Sequence, residues 1–405
     1  MKQSISKKIV LASIALLTVA NVQAQTDNLK VSGYIQTQLE AGQKDAKTKL
    51  GNTTSTQDWD NKGSFTRAGI RRGRIKFTYA ADTYAKGVFQ LDLTEAGVKF
   101  KDAYLNLTVP SANWLSVKAG IFDRPFGDEI SYSSSRREIA ERSIGTQILF
   151  PDERDMGVTL VLTAPKGSAI EGLAFEGGFF AGNGIAKEDD GKYDFIGHLN
   201  YQKKYDNSSF GIGTSLYSGK VYNLDNVAGV YTSYEVNNGA WVASTGSEKF
   251  NNRTYYGFDA QYSRQTPLGL TRLRGEYVFG EQPSQGDNMS SPKLGALSTE
   301  KKFSYMRNFT AAHIYLVQDL FTTPFAVAFR YSIFDQNTDL NKDQVKSSAD
   351  VKLDGYSFSG IWRMSPSASL MATYDITTNE KCANLAKYES DRKDNLFTLR
   401  LQYKF

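Results

Sequence analysis

Apolar and polar residues alternate with a period of two along much of the 405-residue chain. The last residues show this most plainly. Phe397, Leu399, Leu401, Tyr403 and Phe405 share one face, while Thr398, Arg400, Gln402 and Lys404 share the other. Such a period places the two sets on opposite sides of a sheet. Leu29, Val31, Ile35 and Leu39 alternate in the same way with Lys30, Ser32, Tyr34, Gln36 and Gln38. Ile75, Phe77 and Tyr79 oppose Arg72, Arg74, Lys76 and Thr78. Phe325, Val327, Phe329, Tyr331 and Ile333 oppose Ala326, Ala328, Arg330 and Ser332. Marked along the chain, these runs predict about sixteen strands, over 29–40, 66–80, 86–94, 99–109, 114–122, 154–164, 170–180, 193–203, 208–218, 254–263, 268–279, 307–318, 323–334, 352–364, 368–376 and 394–405. Most have roughly the nine to eleven residues that a tilted strand needs to cross a bilayer.

The gaps between strands are sorted as well. Numbered in order, the even gaps are short: 81–85, 110–113, 165–169, 204–207, 264–267, 319–322 and 365–367. The long gaps, 41–65, 123–153, 219–253, 280–306, 335–351 and 377–393, all fall at odd positions. A barrel standing in a membrane produces this segregation, with short periplasmic turns and long outer loops. A soluble sandwich has no cause to sort its loops by parity. The expected fold is therefore all-β: an antiparallel transmembrane β-barrel with an even strand count and both termini on the periplasmic side.

The first segment reads as an export signal. Lys2, Lys7 and Lys8 precede the apolar or small run 9–20, and Val22-Gln23-Ala24 gives a small-x-small cleavage pattern before Gln25. The run is shorter than the roughly 20 residues of a spanning helix, and no later segment reaches 18 consecutive apolar residues, so no transmembrane helix is expected. The expected division is a cleaved signal over 1–24 and a single outer-membrane barrel domain over 25–405. Composition agrees: 23 Tyr and 24 Phe against 6 Met favour strands, and the apolar faces carrying many of them are expected toward lipid. The formal charge of +5 falls to +2 beyond the signal, which holds three lysines and no acid. A nucleic-acid role inferred from basicity therefore fails.

Several motifs carry a family resemblance. Arg71-Arg72-Gly73-Arg74-Ile75-Lys76-Phe77 resembles the basic second strand of the phosphate-selective porin O and P family. Lys101-Asp102-Ala103-Tyr104 is similar to that family's fourth strand. Gly120-Ile121-Phe122-Asp123-Arg124-Pro125-Phe126-Gly127 resembles its entry into the third loop. Glu141-Arg142-Ser143 and the segment 150–157 (FPDERDMG) resemble that loop's middle and exit. These motifs cover roughly residues 66–160, and the remainder matches in architecture. The resemblance implies a passive porin, a third loop folded into the pore, a homotrimer, and phosphate as a solute. The ending at Tyr403 and Phe405 resembles the C-terminal signal strand through which the barrel assembly machinery recognises outer-membrane proteins.

Charge placement gives the candidate chemistry. Strand parity turns Arg72, Arg74, Lys76, Lys118, Arg272, Arg274, Arg330, Arg363, Arg400 and Lys404 toward the lumen. Guanidinium forks suit phosphate and carboxylate oxygens, and a channel must bind its solutes weakly at several sites. Asp92, Asp102, Glu176, Asp194, Asp259, Glu276 and Asp375 point inward too, as in any wet lumen. Parity puts Arg71 outward unless it lies at the strand's loop end near the headgroups or a bulge shifts the register. The expected constriction loop, 123–153, holds Arg124, Arg136, Arg137 and Arg142 against seven acids, a net charge of −3. That balance favours a general porin for small solutes with a mild anion preference over a strongly phosphate-selective eyelet.

Other chemistries find little material. One cysteine, Cys382, forms no internal disulfide and no thiolate metal site. His198 and His313 sit at inward strand positions with no Ser or Cys constellation beside them. No cofactor, metal or catalytic residue is expected. Two other classes remain to compare: a surface adhesin using the loops 219–253 and 280–306, and a barrel enzyme with a Ser-His or Asp-His pair at one rim.

Overall fold

The structure, a computed structural model, describes residues 28–50, 64–188, 190–291 and 305–405; the expected signal over 1–24 lies outside them. Nine strands come first: β1 (Leu29–Gln43), β2 (Ser64–Ala80), β3 (Ala85–Thr94), β4 (Gly97–Val109), β5 (Ala112–Asp123), β6 (Arg154–Thr163), β7 (Leu173–Phe180), β8 (Asp194–Lys204) and β9 (Ser208–Tyr222). A small outer-loop sheet follows, with β10 (Asn226–Val227), β11 (Val230–Asn237) and β12 (Ala240–Gly246). Seven more strands complete the wall: β13 (Phe250–Thr266), β14 (Gly269–Ser284), β15 (Tyr305–Asp319), β16 (Phe325–Asp335), β17 (Leu353–Arg363), β18 (Ala368–Asn379) and β19 (Leu396–Lys404). One short helix, α1 (Ile144–Leu149), lies between β5 and β6.

Sixteen of these strands pair antiparallel with their neighbours, and β1 pairs with both β2 and β19, closing the barrel. Closure leaves no sheet edge in the wall, as a strand-built membrane span requires. Among the described residues no helix is long and apolar enough to cross a membrane. The predicted strands are all present, and the loop lengths segregate by rim as expected. The 219–253 gap is more ordered than a loop: β9 and β13 extend into it, and β11 and β12 form a hairpin above the rim.

The chain end makes the seam. Phe405 N donates to Gly33 O at 3.0 Å, and Gly33 N donates to Phe405 O at 2.9 Å. A side chain at Gly33 would meet Arg74 O at 2.3 Å and the Phe405 ring at 2.6 Å, so the seam admits only glycine. Outward faces are apolar, with Val31, Ile35, Leu39, Phe89, Leu105, Phe258 and Leu401 exposed. Tyr84, Trp114, Tyr205, Phe321, Phe325 and Trp362 are exposed around the short-turn rim, the placement of an interfacial aromatic girdle.

Two features depart from strict alternation. Opposite Gln36 and Thr37 the register of β2 skips Arg71, pairing Arg72 and Ile70 instead. Opposite Gln90 and Leu91 the register of β4 skips Lys101, pairing Asp102 and Phe100. Each bulge inserts one basic residue and changes the face it addresses. The bulge, rather than the rim, thus accounts for Arg71. The second departure is inside: Phe122, Phe126, Phe150, Phe180, Tyr217, Tyr255, Phe309 and Phe334 form a buried cluster within the barrel. The aromatic residues therefore divide between lipid and lumen, because the inserted loop needs an apolar seat on the wall.

We expect Gly33→Val to strain the seam by roughly 1–3 kcal/mol, the usual cost of overpacking. The temperature at which the folded, fast-migrating gel band disappears should fall; an unchanged temperature would contradict the tight seam.

Candidate functional site

The segment from Arg124 to Glu153 turns into the barrel and is fixed at both sides. Toward β9 and β14, Gly127 N donates to Ser215 Oγ at 2.9 Å. Asp128 N and Glu129 N both donate to the Glu276 carboxylate at 3.1 Å. Gly127 adopts φ +61°, and a side chain there would strike that carboxylate at 2.3 Å. Phe126 packs on Phe150 with ring centroids 4.9 Å apart, and Tyr217 on Tyr255 at 4.9 Å. Burial of these rings seats the loop on the outer half of the wall.

Toward β2, β16 and β19 the anchor is ionic. Arg71 grips Glu141 with Nε at 2.8 Å and Nη2 at 3.0 Å. Arg72 Nη2 and Arg400 Nη2 each reach the same carboxylate at 2.8 Å. Arg330 Nη1 donates to Glu141 O, and Arg400 Nη1 to Ala140 O, each at 2.6 Å. Burial alone would raise the Glu141 pKa; Arg71, Arg72 and Arg400 outweigh it and hold the carboxyl well below its ordinary range. Glu129 is held low too: burial is outweighed by the charges of His313 and Arg330 and by the Ser143 hydroxyl, which donates at 2.6 Å. Tyr315 Oη also donates to Glu129. Ser143 caps α1 in turn, accepting from Thr146 N at 3.4 Å.

The loop's other acids are engaged as well. Glu138 accepts from Arg274 Nη2 at 3.0 Å and from Tyr132 Oη at 2.9 Å. Asp123 and Glu153 face Arg154 at 3.1 and 2.7 Å. Asp128 lies 3.7 Å from Arg274. The formal −3 of the loop is thus spent on the wall's cations.

The inward wall residues fall into two groups. Arg72 and Arg330 serve the loop, and Arg74 pairs with Asp92 at 3.3 Å. Lys118 meets Glu176 at 2.6 Å, and Arg272 meets Asp319 at 2.7 Å. Arg274 stands over Tyr132, 3.7 Å from its ring centroid. Lys76, Lys101 and Lys404, and Arg136 of the loop, by contrast, have no ion pair among the described residues. Of the loop arginines, Arg124 pairs with Asp155 at 3.2 Å, and Arg142 donates to Glu129 O and Ile130 O. Arg136 is exposed against Tyr132.

These leftovers shape the space on either side of the loop. A recess of about 670 Å³ opens among the short-turn ends of β14, β17, β18 and β19. Its charged lining is Arg136, Arg137, Arg272, Arg363, Arg400 and Lys404 against Glu138 and Asp319. On the long-loop side a recess of about 420 Å³ brings the bulged Arg71 and Lys101 together with Lys49, Arg72, Arg74, Lys99, Arg137 and Arg142, against Asp92, Glu95, Glu141, Asp152 and Glu153. A smaller space of about 260 Å³ near β5 and β8 is acidic instead, with Asp123, Asp128, Glu176 and Asp259 against Lys118 and Arg124. Sequence parity located the wall cations but gave no sign of which would lack partners, or of Lys101.

Neither histidine builds a nucleophilic site. His198 bonds Asp259 at 2.9 Å, and His313 lies 3.7 Å from Glu129. Ser143 donates to Glu129 rather than to an imidazole. Cys382 is buried with Val345 and Val351; burial, with Glu380 nearby, pushes its thiol up to about 11. Among the described residues no cluster of His, Cys, Asp and Glu could hold a metal.

A closed sixteen-stranded barrel with a loop folded inside is the architecture of outer-membrane porins. Salmonella typhi OmpF, in complex with daunomycin, superimposes with a TM-score of 0.57 at 15% identity, over 93% of this chain and 98% of that one. An anion-selective porin from Comamonas acidovorans gives 0.56 at 13% identity, covering 93% and 99%. The outer-membrane channel DcaP of Acinetobacter baumannii gives 0.56 at 11% identity, covering 93% and 97%. These likenesses show the fold. No family model and no curated protein matches the chain.

Two outcomes follow from the anchoring. Tyr315→Phe removes one donor from buried Glu129 and should cost roughly 1–3 kcal/mol, read as a lower urea midpoint of the folded gel band; no shift would contradict it. Because Glu129 and Glu141 are depressed in the fold, their stabilisation is complete above the unfolded carboxylate pKa, about 4.3, and is lost only as pH falls through the lower folded values. Channel conductance at pH 4 should therefore keep its pH 7 step size in high salt, and a larger step at pH 4 would contradict the anchor.

Proposed function

We propose that the chain is a passive outer-membrane porin of Gram-negative bacteria, conducting small solutes with a mild preference for anions. The observation that carries this reading is the charge balance of the short-turn recess, six cations to two acids, where Arg136 and Lys404 have no ion pair among the described residues. Paired charges cancel at a distance, whereas unpaired cations in a narrow wet passage raise the local anion concentration. The acidic lobe near β5 and β8 explains why the preference is mild. The resemblance to the phosphate-selective porin O and P family supports phosphate as one solute. A homotrimer in outer-membrane lipid, delivered through Tyr403 and Phe405 by the assembly machinery, completes the reading; a Vibrio cholerae OmpT of similar fold was solved in a trimer form. No cofactor is required.

The β11–β12 hairpin, with Tyr234 stacked on Tyr305 at 4.7 Å, is the feature that favours a surface-binding role as a second reading. An enzyme has weaker support, given the partners of His198 and His313. In a KCl gradient across a planar bilayer, the purified protein should give a reversal potential of anion-selective sign. Arg136→Glu combined with Lys404→Glu should move it toward or past zero. A cation-selective wild type would overturn the reading.

A further inference from the structure

The long-loop side of the inserted loop holds a second space, of about 460 Å³. It shares Lys49, Glu141, Arg142 and Gln147 with the basic 420 Å³ recess and extends from them toward β17, β18 and β19. Helix α1 lines it with Ile144 and Ile148, four residues apart on one helix face, while Gly145, Thr146 and Leu149 are buried. Leu353 of β17 adds a third aliphatic side chain, and all three are only half-buried. The surrounding loops are tied to the helix and to one another. Ser291 N donates to Ile148 O at 3.0 Å, Lys49 Nζ to Gln147 Oε1 at 2.7 Å, and Ser348 Oγ to Asp287 O at 3.3 Å. Charge sets this space apart from the others. Five acids and five bases line it, against six cations to two acids in the short-turn recess and eight to five in the basic one. Asp287 and Lys47, one of each sign, are exposed in its lining and have no ion pair among the described residues.

We propose that this space is a binding site in the outer vestibule for a small zwitterion with an apolar side group, the chemistry of an apolar α-amino acid or a short apolar peptide. The proposal rests on the porin reading and goes beyond it, because it adds a solute class that an anion preference does not select. Covering Ile144, Ile148 and Leu353 removes apolar surface from water, which a purely ionic solute cannot do. The balanced lining favours neither net sign, so a solute of no net charge enters without repulsion. Asp287 offers acceptors to an ammonium, and Lys47 offers donors to a carboxylate. The volume suits the task, since small-molecule sites run from about 300 to 1,000 Å³. Both charged ends are exposed and the apolar floor is shallow, so the solute leaves as readily as conduction demands. The outer vestibule is thereby divided: anions are drawn toward β2, β3 and β4, and neutral amphipathic solutes toward β17, β18 and β19.

The test is KCl current through wild-type channels in a planar bilayer, with L-leucine, glycine or 4-methylpentanoate added to one side at a time. Glycine is a zwitterion without an apolar group, and 4-methylpentanoate is leucine without its ammonium. Leucine should reduce the current, and do so at lower concentration from one side, because the site lies on the long-loop side of the constriction. The other two solutes should need roughly tenfold more for the same block. Leucine acting no better than glycine, or no better than 4-methylpentanoate, would overturn the proposal, and neither result depends on a variant folding. In Ile148→Asn, and separately in Asp287→Asn, the half-blocking leucine concentration should rise roughly tenfold. The open-channel step in the same recording shows that each variant has folded, and an unchanged half-blocking concentration in either would also overturn the proposal. A wild-type protein that forms no channel would instead remove the porin reading on which the proposal rests.

Discussion

A carboxylate inside a barrel must be answered by charge, and at Glu141 three guanidiniums answer it together. Arg71 and Arg72 come from β2, and Arg400 comes from β19 on the other side of β1. Because Arg330 and Arg400 also take the carbonyls of residues 141 and 140, one short stretch of loop is bound to three strands at once. Removing one partner of such a buried group strands the others, typically at a cost of about 3–5 kcal/mol. The opposite side of the loop is held differently, by aromatic packing and by backbone amides on Glu276. The loop therefore bridges the lumen between an apolar seat and a basic one.

This grip fixes the electrostatics of the passage. A loop rich in acids, taken alone, repels anions. Here Glu138 and Glu141 are consumed by Arg71, Arg72, Arg274 and Arg400, and Asp123 and Glu153 by Arg154. The residual field comes from cations with no ion pair among the described residues, chiefly Arg136, Lys404 and the bulged Lys101. Under the proposed function, anion preference arises from what pairing leaves over, with no dense ring of arginines required.

Much of the fold was legible in the sequence. Period-two alternation marked each strand of the wall, and the parity of the loops implied an even-stranded closed barrel. The −3 charge of the loop was legible too, with salt bridges to the wall as one reading of it, but the particular pairs were not, since Glu141 and Arg400 are 259 residues apart in the chain and meet only in the fold. Arg71 and Lys101 escaped parity because a bulge is a single-residue shift of register with no compositional mark. The inserted loop explains why Phe180, Tyr217 and Phe334 are buried inside the barrel.

The grip on Glu141 is tested most directly by recording single channels of Glu141→Gln beside the wild type at neutral pH. Loss of the charge should leave a heat-modifiable barrel that conducts with larger, noisier steps, because the loop is freed on its basic side. Steps of wild-type size and steadiness from Glu141→Gln would contradict the central role of this carboxylate.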